Sequence, residues 1–511
     1  MSVDTKVQND GKMQFEAALD WAGFGPYSYV LTTLAGFINI AYMCVCYATT
    51  IIIPASACEL GTTTSQQGYI ASGPRFGEIT GAIIGGYLGD KFGRRRVLLF
   101  ALISSAVLNG IASISVNWVM LLIVQSLASF CSGSQCSLGI TILCESVPMC
   151  RRNVLVLWVL SMFFLSQGIM AVIAIPIIPL PFSFYLPGLG IYWNSWRTLL
   201  LVYSTPSLLA AVWLFFMQES PKYVFVKGHE EESIDIIKTI HSWNNWKPAE
   251  DFQIKSLTLD AFDEPTSIKD QIVPLFKAPL LKYTVIMTTL CLLQLITAFG
   301  VWLPTIVNQF MQIVETGVGT DRSLCSIISD RVEMPVDPDV APCALNVSSL
   351  LLVLSMGALR SFLNILLSLV VNRVGYRNMA ICFTVVCGVS GIMVNLIPNA
   401  YASVVFFMIF MTGALVTGMY VALTVALFPT HLRALAVALT STGGSIGMLA
   451  SVPILNRLLE VNCSAGFYTF SSIFLSSAFI AAFLPNDSSL LKKKLEQIEK
   501  STKDEKLTQC T

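Results

Sequence analysis

From Trp21 to Cys58 the chain carries no Asp, Glu, Lys or Arg, and a second charge-free stretch runs from Val97 to Cys144. A helix crossing about 30 Å of hydrocarbon takes about 20 residues, so the first stretch holds one membrane span with its flanks and the second holds two. Only 12% of the 511 residues are charged, against roughly a quarter in a water-soluble chain, and the charges gather in short clusters between apolar runs. The expectation is an all-α membrane protein. Net charge is zero, which gives no reason to expect a nucleic-acid partner.

Taken in order, residues 1–28 form a polar N-terminal segment in which Phe15-Glu16-Ala17-Ala18-Leu19-Asp20 reads as a short helix lying on the membrane surface. Charges continue up to Asp20, so no cleavable signal peptide is expected and the first span serves as its own insertion signal. Residues 29–217 hold six spans, the second from about Gln67 to Gly89. Residues 218–282 are a polar linker whose run from His229 to His241 places Ile234, Ile236, Ile237 and Ile240 at amphipathic helical spacing. Residues 283–484 hold six more spans, at about 283–307, 349–371, 379–397, 401–427, 434–456 and 466–484, and 485–511 are a lysine-rich tail. Twelve spans put both termini on one side of the bilayer.

Two motifs occur twice. The turn Gly89-Asp90-Lys91-Phe92-Gly93-Arg94-Arg95-Arg96 returns in weaker form as Val371-Asn372-Arg373-Val374-Gly375-Tyr376-Arg377-Asn378. Glu145-Ser146-Val147-Pro148 followed by Arg152 is matched, with the same spacing, by Ala426-Leu427-Phe428-Pro429 followed by Arg433. The chain is therefore an internal duplication of two six-helix halves, each with a basic turn after its second span and a Pro/Arg turn after its fourth. This pattern resembles the major facilitator superfamily over almost the whole length. Glu219-Ser220-Pro221-Lys222-Tyr223 and Leu427 to Arg433, with Phe15 to Gly25, narrow the resemblance to the branch of synaptic vesicle glycoproteins, related vesicle proteins and organic ion carriers. That branch commonly carries acids in span one, where this chain has Tyr42 and Val45. The segment 308–348 is also too short for the long inserted domain of the vesicle glycoproteins, so the chain is similar to a shorter relative of the kind found in invertebrates.

The resemblance implies a cytosolic latch between the halves, with Asp90, Arg94, Glu145 and Arg152 as members in the first copy, beside Arg95, and Arg373 and Arg433 in the second. Asn372 and Ala426 replace the expected acids there, so the second latch is weaker. The plainer reading of the basic turns is topology: Lys and Arg near span ends stay on the cytosolic side, which makes the termini cytosolic as well. The outer loops then hold Cys58, Cys325, Cys343 and Cys463. Asn346-Val347-Ser348 and Asn462-Cys463-Ser464 are outer glycosylation acceptors. Cys325 and Cys343 are either a disulfide across the outer loop or two free thiols.

Charges inside spans cost roughly 2.5–3.5 kcal/mol at mid-bilayer, so Arg75 and Glu78 in span two and Arg360 in span eight each need a partner or an aqueous cavity. Arg75 and Glu78 are three apart and face the same way, which reads either as a local ion pair or as part of a substrate site. Arg360 lies roughly 16 Å along its helix from the outer end of span eight, near the depth where carriers bind substrate. It reads either as the anchor of an anionic or zwitterionic substrate or as a partner of Glu78 that leaves Arg75 for the substrate. Asn39, Tyr42, Gln135, Gln167, Gln294, Trp302, Asn364 and Tyr420 are polar or aromatic candidates for the cavity wall, each equally able to make an interhelical hydrogen bond. Gly443, Gly444 and Gly447 in span eleven suit close helix packing.

No nucleotide-binding loop, metal-ligand cluster or nucleophile motif stands out, so neither a primary pump nor an enzyme is expected, and no metal or cofactor. The leading expectation is a monomeric secondary transporter, uniporter or ion-coupled, for a small organic ion in a plasma or vesicle membrane. The alternatives are a transporter-shaped binding partner that moves nothing, and a sugar transporter.

Overall fold

A computed structural model describes residues 12–246, 256–258, 273–278, 280–316, 323–329, 347–428 and 432–485. Eleven of its helical stretches are long and apolar enough to cross a membrane. The remaining span is Thr64–Phe92, 29 residues long and about 43 Å at 1.5 Å per residue. It carries the charges Arg75, Glu78, Asp90 and Lys91. The twelve-helix expectation holds. Span two starts at a capping box, in which the Thr63 hydroxyl accepts from the Gln66 amide and the Gln66 side chain accepts from the Thr63 amide.

Spans three, five and six are the unbroken helices Arg94–Ala112, Met149–Ala174 and Ser195–Phe215. Spans eight, nine, eleven and twelve are likewise unbroken: Val347–Val374, Tyr376–Leu396, Arg433–Val461 and Cys463–Ala481. The other four are interrupted. Span one is Pro26–Cys46 and Thr49–Leu60, and span four is Trp118–Ser132 and Gln135–Ser146. Span seven is Leu280–Leu292, a 3-10 turn Leu295–Ala298, and Phe299–Thr316. Span ten is Ala400–Thr412 and Val416–Leu427 around the 3-10 turn Gly413–Leu415. Between spans five and six, β2 (Ser183–Leu186) and β3 (Ile191–Asn194) form an antiparallel hairpin that follows β1 (Lys12–Gln14) in chain order.

The repeated basic turns have one local cause. Gly93 and Gly375 take φ values of 108° and 87°, a region in which side-chain-bearing residues are strained. Their amides close the preceding helices onto the carbonyls of Gly89 and Val371.

Internal contacts divide the chain into two compact units: Met1–Glu264 with Val301–Thr316 and Val332–Ile365, and Pro265–Gly300 with Gly317–Arg331 and Leu366–Thr511. In the first, span two packs on span four along Gly73, Gly77, Gly81, Gly85 and Gly89, spaced by four and so forming one helix face. The facing residues Leu122, Ser126, Phe130, Ser134 and Leu138 repeat at the same interval. A methyl group at Gly77 or Gly81 would overlap the Ser126 or Phe130 carbonyl oxygen, so the helices meet backbone to backbone.

The N-terminal helix Phe15–Ala22 corrects the expectation of a membrane-surface helix. Phe15, Ala18, Leu19 and Ala22 are buried in protein, because the linker helix Glu230–Asn245 covers that face with Ile234, Ile236, Ile237 and Ile240. Asn244 and Asn245 donate to the Gly23 and Ala22 carbonyls, and β1 pairs in parallel with β4 (Ser256–Thr258).

In the second unit, Phe299 sits among Phe407, Phe410, Phe467 and Phe470, with ring centroids 4.7–6.3 Å apart. Gly443 and Gly447 let span eleven approach Thr288 and Leu292 of span seven, as their spacing implies. The expected disulfide is corrected. Cys325 pairs with Cys463, while Cys343 lies outside the described residues. The short helix Leu324–Ser329 carries Cys325 to the start of span twelve, and the Asn395 side chain accepts its amide at 3.1 Å. Cys58 is also disulfide-bonded.

Two outcomes follow. Gly81→Leu forces apart two backbones in contact, a strain of roughly 1–3 kcal/mol or more, and should shift purified protein from a monodisperse to an aggregated peak on size exclusion. Peptide mapping without reductant should recover Cys325 linked to Cys463.

Candidate functional site

The break in span one organises the charged residues of the first unit. After Cys46 the helix is interrupted at Tyr47 and Ala48, and the Thr50 amide reaches back only to the Tyr47 carbonyl. Carbonyls freed at such a break need donors, because lipid offers none. Arg75 Nη2 donates to the Cys46 carbonyl at 3.0 Å, and Gln125 Nε2 donates to the Val45 carbonyl at 2.7 Å.

Arg75 is almost completely buried, and its Nη1 lies 2.6 Å from Glu78 Oε2. Its guanidinium stacks 3.4 Å above the centre of the Tyr47 ring, and the Tyr42 hydroxyl donates to the other Glu78 oxygen. The local ion pair is formed. Glu78 stays 22% exposed at its side chain, so this carboxylate is reachable.

Arg360 does not pair with Glu78. It is 8% exposed, and its Nη1 donates to Gln167 Oε1 of span five at 3.2 Å, while Nε has no hydrogen-bond partner. Among the described residues no carboxylate pairs with it. The two helices can meet here because Gly357 and Gly168 face each other on spans eight and five.

The wall candidates separate by what they bind. Asn39 donates to the Val159 carbonyl, Asn364 to the Ser161 hydroxyl, and Gln135 to the Ala101 carbonyl and the Ser105 hydroxyl; these three tie helices together. Tyr42 and Gln167 stand beside the charged groups. Trp302, in the same unit, is buried with its indole N–H unpaired. In the second unit Gln294 lies at the break of span seven, buried with neither amide atom paired among the described residues, and Tyr420 is fully buried.

The latch residues are brought together only in part. Arg94 bonds Glu145 at 3.0 Å and Asp90 at 3.3 Å, and the Ser220 hydroxyl donates to the second Glu145 oxygen. Arg95 donates to the Leu214 and Phe215 carbonyls at the end of span six, where a cation also suits the helix dipole. Arg152 stands apart from the other three. It pairs with Glu16 at 3.1 Å, because Glu16 and Asp20, four apart on the N-terminal helix, both face the start of span five. There Asp20 accepts the unpaired Met149 amide. The side chains of Arg373 and Arg433 lie outside the described residues, as does Asn346. Asn462 is exposed between spans eleven and twelve, and its side-chain oxygen caps span twelve.

Sequence reasoning missed Tyr47, whose role depends on the helix break. It also missed Arg197, buried at 1% exposure and held by Glu59 at 2.7 Å and by the Ser113 and Ser115 carbonyls. The glycine period of span two was a readable signal for where these helices pack.

A family model described as Major Facilitator Superfamily matches residues 37–327 and 344–508. The chain belongs to the major facilitator superfamily. Membership places it in a class of multi-pass transporters, not enzymes. The synaptic vesicle 2-related protein of Xenopus laevis is 24% identical over 482 residues, 93% of this chain and 81% of that protein. Synaptic vesicle glycoprotein 2B of Homo sapiens is 25% identical over 232 residues, 45% of this chain and 34% of that one. In fold the chain is similar to the inward-open xylose transporter XylE from E. coli, with a TM-score of 0.62 at 15% identity over 90% of this chain and 97% of that one. Within the superfamily each half is a pair of three-helix repeats, and the four interrupted spans, one, four, seven and ten, are the first helix of each repeat. Interrupted helices are where transporters place substrate sites.

Removing Arg75 strands Glu78 and the Cys46 carbonyl, while removing both charges leaves no buried carboxylate unpaired. Arg75→Ala should therefore destabilise by about 3 kcal/mol, and Arg75→Ala with Glu78→Gln by less. Thermal unfolding of both variants in detergent checks the order.

Proposed function

We propose that this superfamily member is a secondary transporter that moves a small organic anion or zwitterion by alternating access. One observation carries the reading: Arg360 is a buried cation whose described hydrogen-bond partner is the neutral Gln167. A guanidinium in an apolar setting is stabilised by a carboxylate that binds two of its N–H groups at once, and a substrate can supply one. Arg75, neutralised by Glu78, does not create that need.

The basic turns support a cytosolic placement of the linker face. The Cys325–Cys463 disulfide supports an oxidising compartment on the other side. Likeness to synaptic vesicle 2-related proteins supports a vesicle membrane as its location. The second reading, a transporter-shaped binding protein, draws on Asn372 and Ala426 in place of the acids of the second latch.

Uptake into proteoliposomes of radiolabelled organic anions, zwitterions, cations and sugars, xylose included, tests the reading. Saturable anion or zwitterion uptake is expected, with Arg360→Ala lowering it by about 10²-fold or more, on the scale of a lost charge-assisted contact. Uptake of sugars alone, or of nothing by correctly folded protein, would refute it.

A further inference from the structure

Of the three buried arginines described in the first unit, Arg197 is held by Glu59, and the other two are not equivalent. Arg75 has its charge neutralised by Glu78, one donor on the Cys46 carbonyl and its face on Tyr47. Among the described residues Arg360 has a neutral partner and no acceptor for its Nε. With Arg75 and Arg360 each +1 and Glu78 −1, the group sums to +1, so a monoanion balances it.

The surroundings of that charge are aromatic. Phe163 lies four residues before Gln167 on span five, hence on the same face. Its ring is nearly parallel to that of Tyr42 at 6.3 Å, and Tyr42 lies 6.4 Å from Tyr47. From Gln167, which Arg360 bonds, the wall runs through Phe163 and Tyr42 to Tyr47. Tyr47 and Phe163 both keep part of their surface uncovered, whereas Tyr42 is buried. One face of Tyr47 is already occupied by the Arg75 guanidinium, which draws its π density and leaves the ring better suited to meet an electron-rich partner. An aliphatic anion would gain only buried area at this wall; a flat aromatic one gains stacking as well.

The geometry points to an aromatic monocarboxylate as the ligand class, with its carboxylate on Arg360 and its ring against Tyr47 and Phe163. This rests on the anion-transport reading and narrows it. Tyr47 then sets specificity, and Arg360 holds the charge.

Full-length protein in lipid nanodiscs, titrated calorimetrically with benzoate and with cyclohexanecarboxylate, tests it, because the two probes share charge and skeleton and differ in aromaticity. Benzoate should bind about 3- to 10-fold tighter, the range of an aromatic pair beyond its buried area. Tyr47→Leu should reduce that ratio towards about one, Tyr47→Phe should preserve it, and Arg360→Gln should remove binding of both probes. Where Arg360→Gln does not fold, Arg360→Lys, which keeps the charge and loses the planar fork, should weaken both probes alike. Equal affinities in the native protein, a ratio unchanged by Tyr47→Leu, or no binding of either probe overturns the aromatic inference while leaving anion transport standing. Failure of the broader reading shows separately, as no saturable uptake of any anion in the proteoliposome panel.

Discussion

A helix that stops inside a membrane must hand its freed carbonyls to something, and in span one that something is Arg75. Its guanidinium bonds the Cys46 carbonyl, the Glu78 carboxylate and the Tyr47 ring together. Each contact answers a separate liability: an orphan carbonyl, an unpaired acid, and a cation out of water. Gln125 performs the same service for the Val45 carbonyl and also meets Asn109. Asn109 in turn donates to the Leu200 carbonyl and the Ser204 hydroxyl. The interruption is thus stitched to spans two, three, four and six, and the charged group acquires a set position.

That position also depends on how closely the helices approach. The glycine face of span two removes every side chain that would hold span four away, so backbone meets backbone at Ser126 and Phe130. Without a hydrophobic driving force between helices in lipid, such close packing is a main source of association. Arg75 and Glu78 lie on the same helix as those glycines, and Gly133, at the interruption of span four, approaches the Glu78 carbonyl. Packing and site are therefore one construction in the first unit.

At the end bearing the basic turns, acids from distant parts of the sequence take over contacts that the repeats alone do not provide. Glu145 holds Arg94 and receives Ser220, Glu219 accepts the Arg95 amide, and Glu16 holds Arg152. The N-terminal and linker helices bury each other's apolar faces, which explains why a segment with the pattern of a membrane-surface helix is docked on protein. Amphipathic spacing reports that a face must be covered; it does not say by what.

Charge-free runs, the duplicated turns and the glycine at each turn determine the span count, the two-fold repeat and the superfamily, because hydrocarbon thickness and the cost of buried charge act on local sequence. Arg75, Glu78 and Arg360 stood out for the same reason. Which of them pair was not legible, since Arg75 could equally have faced a substrate, and Arg360 could equally have met Glu78. Tyr47 carries no motif, Cys325 had several cysteines within reach of its loop, and Arg152 had Glu145 in its own motif, far nearer in sequence than Glu16. Only the tertiary structure decided these partners, because a hydrogen bond or ion pair forms between groups that packing brings within about 3 Å, and sequence spacing controls that distance only along a single helix.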